Sequence, residues 1–186
     1  MALLKFRVYP EDEFGVYRDV IIKHSQNFRE LHEAILTAYA FDKKHQATFY
    51  RSNEDWKKGR EISLEEYDKA YKVKPLLMEE TKIGNEIFST NQKFIYEYDF
   101  AKNWVFYVDL IAVVKEEAKD KTYPYVSRTE GPGPQQYAKN NVLGEQFVDI
   151  EEKYDLNKDA DGFSHDGDDG QDTDSEENFG DAELDD

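Results

Sequence analysis

The sequence predicts an α+β domain: a curled, mainly antiparallel sheet built from two β-hairpins, one main helix packed on a face, and a disordered acidic tail. Three observations carry that expectation. Two pairs of segments alternate apolar and polar residues with period two, as half-buried strands require. One run behind a capping signal carries apolar residues at helical spacing. Apolar residues then almost vanish after Leu156, so the end of the chain lacks the means to build a core.

Taken in order, residues 3–9 place Leu4, Phe6 and Val8 on one face and Lys5 and Arg7 on the other. Residues 16–23 alternate again through Val16, Val20 and Ile22, and the polar PEDEFG turn between the two segments makes a hairpin. Asn27 and Glu30 have capping-box spacing ahead of Phe28, Leu31, Ile35 and Ala38, which predicts a helix over 28–40. Residues 46–51 read as a short strand. Ser63 and Glu66 form a second capping box before Leu64, Tyr67 and Tyr71, predicting a short helix that ends ahead of Pro75. Phe94, Tyr96 and Tyr98 alternate with Ile95, Glu97 and Asp99, and a short connection leads into WVFYVDLIAVV, a second hairpin. The latter strand is apolar at nearly every position, which predicts a central strand covered on both faces. Past Lys121, Pro124, Pro132, Pro134, Gly131 and Gly133 predict a loop or linker where the core ends. The expected organisation is a domain over 1–143, a short helix over 144–156 with Phe147, Ile150 and Tyr154 at helical spacing, and a disordered tail over 157–186.

Charge divides the chain at the same place. Residues 1–143 hold 22 Lys+Arg against 23 Asp+Glu and residues 144–186 hold 2 against 18, so −16 of the net −17 belongs to the final stretch. A nearly neutral body gives no strong footprint for a phosphate backbone, which disfavours direct nucleic-acid binding while leaving room for a local patch. The chain has no cysteine, which removes disulfides, thiolate metal sites and thiol nucleophiles and fits a reducing compartment. No stretch has the ~18 apolar residues of a membrane span, and the first residues lack a signal-peptide core, so a cytoplasmic protein without membrane contact is expected.

The segments FRVYPEDEFGVYRDVIIKHSQNFRELHEAILTAYAFDKKHQATF, FIYEYDFAKNW and the YP of TYPYVSRTEGPGPQQY occur in an order that resembles the plasmid pRiA4b ORF-3-like family. The resemblance implies a compact α+β domain of bacteria and archaea, associated in name with plasmids and transposable elements, with no established molecular function. It supplies a fold and not a reaction. Ala101 stands where that family tends to have Gly, and GPGPQQY where many members carry a cysteine-bearing segment.

The candidate site residues are Asp99, Asn103, Trp104, His45 and Asp42. Asp99, Asn103 and Trp104 match the family hairpin, and an acid beside an amide at a turn can orient a ligand or a water. Against this, Asp and Asn favour turns on backbone grounds and Trp104 is a natural core anchor, so a structural role comes first. His45 with Asp42 has the makings of a base and its orienting carboxylate, but Lys43 and Lys44 suggest an exposed loop and no Ser-His-Asp order is legible. His24 ends a strand, and His32 is expected near the polar edge of the helix. Asn157, Asp159, Asp161 and Gly162 match the opening of an EF-hand loop, but Ser164 and Asp168 break the pattern where an aliphatic residue and the bidentate Glu belong. No metal and no cofactor are expected. The glycines of 131–133 alternate with prolines that lack the N–H a phosphate cradle needs, so that stretch is only a loop. Together these readings point to a non-enzymatic interaction module with a protein partner. The alternatives are an accessory protein associated with plasmid or transposon DNA, directly or through a basic partner, and an uncharacterised hydrolytic enzyme.

Overall fold

The computed structural model describes residues 2–115 and 121–138. The expected helix over 144–156, the acidic tail over 157–186 and the EF-hand-like residues lie outside the described residues. Among the described residues the protein is a mixed α/β fold with one α-helix and a large, mostly antiparallel open sheet of eight strands.

β1 (Leu3–Pro10) and β2 (Tyr17–Lys23) pair antiparallel, with Leu4 opposite Ile22 and Phe6 opposite Val20. α1 (Phe28–Tyr39) starts at a reciprocal cap: the Asn27 side chain accepts from the Glu30 N–H at 3.0 Å, and the Glu30 carboxylate accepts from the Asn27 N–H at 2.9 Å. It ends where Ala40 takes a left-handed conformation at φ 56°. Phe28, Leu31, His32, Ile35, Leu36 and Tyr39 form its buried stripe. The remaining strands are β3 (Ala47–Ser52), β4 (Glu61–Ser63), β5 (Leu76–Leu77), β6 (Lys93–Tyr98), β7 (Trp104–Val114) and β8 (Tyr125–Glu130). The sheet runs β5-β4-β3-β6-β7-β1-β2-β8, and only β4–β5 is parallel. One face carries Phe6, Val8, Val20, Phe49, Phe94, Tyr96, Phe106 and Val108 into a core shared with α1. The aromatic rings meet tilted or edge-on, as in Phe28 against Phe49 and Phe94, each at 5.3 Å.

Three expectations are corrected. Residues 63–75 do not form a helix. Ser63 ends β4 opposite Thr48, and its carbonyl accepts the Met78 N–H at 2.9 Å instead of opening an i→i+4 ladder. Its hydroxyl lies against Glu61 and Thr48 within the sheet rather than over a following turn. β7 is central, between β6 and β1, but covered on one face only: Trp104, Phe106, Val108 and Leu110 are buried, whereas Val105, Tyr107 and Asp109 are half-exposed and Ile111 is exposed. A single helix covers a single face, whatever the composition of the strand. The sheet does not end before Lys121 either, because β8 adds an edge beside β2. Gly131 then turns the chain at φ 69°, where an added Cβ would sit 2.9 Å from Val16 Cγ2. Buried Arg18 ties this edge down, with Nε donating to the Ala38 carbonyl and Nη1 to the Tyr17 and Glu130 carbonyls.

Candidate functional site

Antiparallel pairing of β3 with β6 sets Ala47 opposite Tyr98. The chain entering β3 therefore lies beside the chain leaving β6, and Asp42, His45 and Asp99 converge although 57 positions separate the outer two. Asp99 is 4% exposed and opens the loop to β7 in a left-handed conformation at φ 51°. Its N–H donates to the Gln46 carbonyl at 2.9 Å, and its own carbonyl accepts from the Asn103 N–H at 2.7 Å and the Lys102 N–H at 3.0 Å. Asn103, at φ 50°, closes the same loop. Asp and Asn are the non-glycine residues that best tolerate this region, which accounts for both positions. Trp104 is buried at the start of β7, edge-on to Phe41 at 4.9 Å.

The loop of residues 135–138 closes the site. Gln136, buried, reads Asp42 twice: its Oε1 accepts the Asp42 N–H at 2.7 Å, and its Nε2 donates to Asp42 Oδ1 at 2.9 Å. Its backbone carbonyl accepts Trp104 Nε1–H at 3.2 Å. The Tyr98 hydroxyl donates to Asp42 Oδ1 at 2.7 Å, the Tyr137 hydroxyl donates to Oδ2, and the Lys44 N–H reaches Oδ1 at 3.4 Å. Burial pushes the Asp42 carboxyl up, but hydrogen bonds from Gln136, Tyr137 and Tyr98 outweigh it and hold the carboxyl well below the usual range. Burial and the same carboxylate push the Tyr98 hydroxyl up, so it remains a donor.

The loop before β3 is exposed at Lys43, Lys44 and Gln46, but the His45 side chain is not fully so: it is half-buried. Its ring lies edge-on to Tyr98 at 5.7 Å, with Nε2 3.6 Å from Asp42 Oδ1 and Nδ1 3.6 Å from Asp99 Oδ2. Nε2 is buried and has no hydrogen-bond partner among the described residues. His32 is likewise not at a polar edge: it is buried, hydrogen-bonds Tyr96 Oη through Nδ1 at 2.7 Å, and burial, with Arg29 and Lys43 adding, pushes it down to about 4. The five predicted site residues thus share one region, to which Tyr98, Gln136 and Tyr137 add. The cleft there, about 490 Å³, is lined by Ala40, Asp42 and residues 135–138, with Asp99 and His45 outside its lining. Among the described residues, no group of three His, Asp or Glu side chains is arranged to hold a metal ion.

The sheet face opposite α1 carries a second cluster. Tyr9 and Tyr107 sit opposite each other on β1 and β7, and Trp56 of the β3–β4 loop lies 4.3 Å from the Tyr107 ring and 6.4 Å from Tyr9. Trp56 is held at φ 54°, a strained conformation for so bulky a residue. Around it, Arg7 pairs with Asp19 through two bonds of 2.8 and 3.1 Å, Lys93 pairs with Asp109 at 2.7 Å, and the Lys93 ammonium sits 4.7 Å from the Trp56 ring.

A model of the plasmid pRiA4b ORF-3-like protein family matches residues 7–157, and the chain belongs to that family. No curated protein matches it. Among solved structures, the fold is similar to that of MM3350, a protein of unknown function from Methanosarcina mazei Go1, with a TM-score of 0.64 over 88% of this chain and 91% of that one. At 15% identity this likeness shows the fold alone. No helix among the described residues is long and apolar enough to cross a membrane.

Proposed function

We propose that this member of the family is a non-enzymatic protein-interaction module that docks a protein partner on the sheet face opposite α1. The observation that carries the reading is Trp56. A tryptophan held at positive φ over Tyr107 and Tyr9, ringed by ion pairs, has the composition of an interface centre, where aromatic anchors supply most of the binding energy. The strained backbone is maintained although the ring covers only part of the face. The acidic C-terminal stretch tunes solubility or meets a basic surface on the partner.

The Asp42 region supports this reading by what its groups are already doing. A His45 base would need a carboxylate hydrogen-bonded to its ring, but its nitrogens lie 3.6 Å from Asp42 and Asp99, while the Asp42 carboxylate accepts from two tyrosines, Gln136 and a backbone N–H. Hydrolytic chemistry there would have to break the contacts that hold residues 135–138 in place. Affinity capture from the native cell with the full chain, Trp56→Ala and Asp99→Asn tests the assignment. Capture lost with Trp56→Ala and kept with Asp99→Asn is the expected pattern. Partners retained by a folded Trp56→Ala variant overturn the docking face, and partners lost only with Asp99→Asn move the site to the β6–β7 loop.

A further inference from the structure

Two clefts of about 410 and 600 Å³ meet at Arg51 and Gly59, beside the β3–β4 hairpin. Tyr50 and Arg51 are consecutive on β3 and so face opposite sides of the sheet. Together the clefts are lined by Arg51, Lys57, Lys58, Arg60, Lys69 and Lys72, against one carboxylate, Glu61. Three aromatic rings line the two clefts, each with a cation over one face: Phe88 with Arg51 at 4.5 Å in the first, and Tyr50 with Lys58 at 5.0 Å and Tyr71 with Lys69 at 4.9 Å in the second. Phe88 is 70% exposed.

We infer that this double cleft binds single-stranded nucleic acid, with phosphates on the cations and bases stacked on exposed Phe88 and on the half-exposed Tyr50 and Tyr71. The inference is independent of the docking face proposed above. Carboxylates hold four of the cations in place: Glu86 on Arg51 at 2.8 Å, Glu61 of the lining on Lys69 at 2.7 Å, exposed Asp55 on Lys57 at 3.5 Å, and Glu97 on Lys58. Arg60 and Lys72 have no ion pair among the described residues and carry the unneutralised charge. An acidic peptide would use those charges and leave the rings idle, whereas a single strand uses both, because every base has a face to stack. A duplex cannot offer its bases to the rings. The net charge of −17 opposes encounter with a polyanion at long range. Within a Debye length, about 10 Å at 0.1 M salt, the lining decides, so binding is salt-sensitive and sequence-independent.

The test is fluorescence anisotropy of a labelled oligo(dT) of about 20 nucleotides titrated with the full chain over a salt series starting near 50 mM, beside a duplex of equal length and a poly-glutamate peptide. Two neutralised phosphates give a slope of about −1.4 in log K against log salt, and the double variant Arg60→Gln/Lys72→Gln flattens it. Phe88→Ala lowers oligo(dT) affinity by roughly 5- to 100-fold and leaves poly-glutamate unchanged. All three substitutions are at surface side chains, and unchanged melting temperatures verify the fold. Absence of oligo(dT) binding overturns the inference, as does poly-glutamate or duplex binding of equal strength, an unaltered salt slope in the double variant, or indifference to Phe88→Ala.

Discussion

Asp42→Asn is the most informative single change, because it keeps the side chain's shape and removes the acceptor on which three elements converge. The wild-type carboxylate takes hydrogen bonds from Tyr98, Gln136, Tyr137 and the Lys44 N–H. An amide oxygen can serve two of them, and the new NH₂ faces a donor. Tyr137 is 62% exposed, so water replaces its bond at little cost. Tyr98 and Gln136 both donate to Oδ1, which the amide oxygen replaces, so their bonds persist but lose the charge of the acceptor, a loss of roughly 1 kcal/mol each that amounts to about 2 kcal/mol. The depressed carboxyl adds a pH signature: a native-state value below the unfolded one stabilises fully above the unfolded value, near 4, and that stabilisation fades as pH falls through the native value. Urea unfolding of both proteins should show a gap of about 2 kcal/mol at pH 7 that narrows below about pH 4. A gap that is absent at pH 7, or that persists unchanged at the lowest pH where both fold, refutes the account of Asp42 as a charged staple.

Other expectations concern the same layers of the structure. Trp104→Ala removes a buried ring that meets Phe41 and Phe106 and should cost roughly 3–5 kcal/mol in chemical denaturation; a loss under about 1 kcal/mol would mean the ring is not a core element. Asp99→Asn should cost less than about 1 kcal/mol, because Asn tolerates φ 51°, while Asp99→Val should cost clearly more; equal stabilities would refute the role assigned to the left-handed backbone. His32 is pushed down to about 4 by burial, so the unfolded chain binds a proton the native one excludes, and stability should fall by up to roughly 3 kcal/mol as pH drops from 6.5 to 4. His32→Gln should lose that dependence, and a variant that keeps it would place its origin elsewhere.

How much of this was legible follows from where the determining contacts lie. β1, β2, α1 and β6 announce themselves because each meets water on one side, so local spacing records which side. β8 does not: YVSRTE is exposed at nearly every position, and what makes it a strand is the edge of β2, a long-range fact. The helix expected between Ser63 and Pro75 fails for a related reason. Serine followed three residues later by glutamate matches a capping box, but Ser63 faces Thr48 and its carbonyl is taken by Met78, and such partners override a local preference. In β7 the apolar run predicted two covered faces, yet composition cannot count the helices available to cover them.

The site divides in the same way. Residue type picks out Asp42 and His45 and the family hairpin picks out Asp99, Asn103 and Trp104; the β3–β6 register brings Asp42, His45 and Asp99 together, so their meeting is accessible once the strand pairing is known. Gln136 was not accessible: it arrives from 94 positions beyond Asp42 on an irregular stretch without periodicity. That residue changes the meaning of the others. An aspartate orients a histidine only when it accepts a hydrogen bond from the ring, and whether it does is a property of the folded arrangement, not of the residue list. With Gln136, Tyr98 and Tyr137 in place, Asp42 fastens residues 135–138 to the start of β3. His45 is left beside both carboxylates at 3.6 Å, too long for a hydrogen bond to either. These residues form a hydrogen-bonded tie between residues 135–138 and the chain entering β3, and the Trp56 face and the cationic clefts beside it are the surfaces proposed to meet a partner.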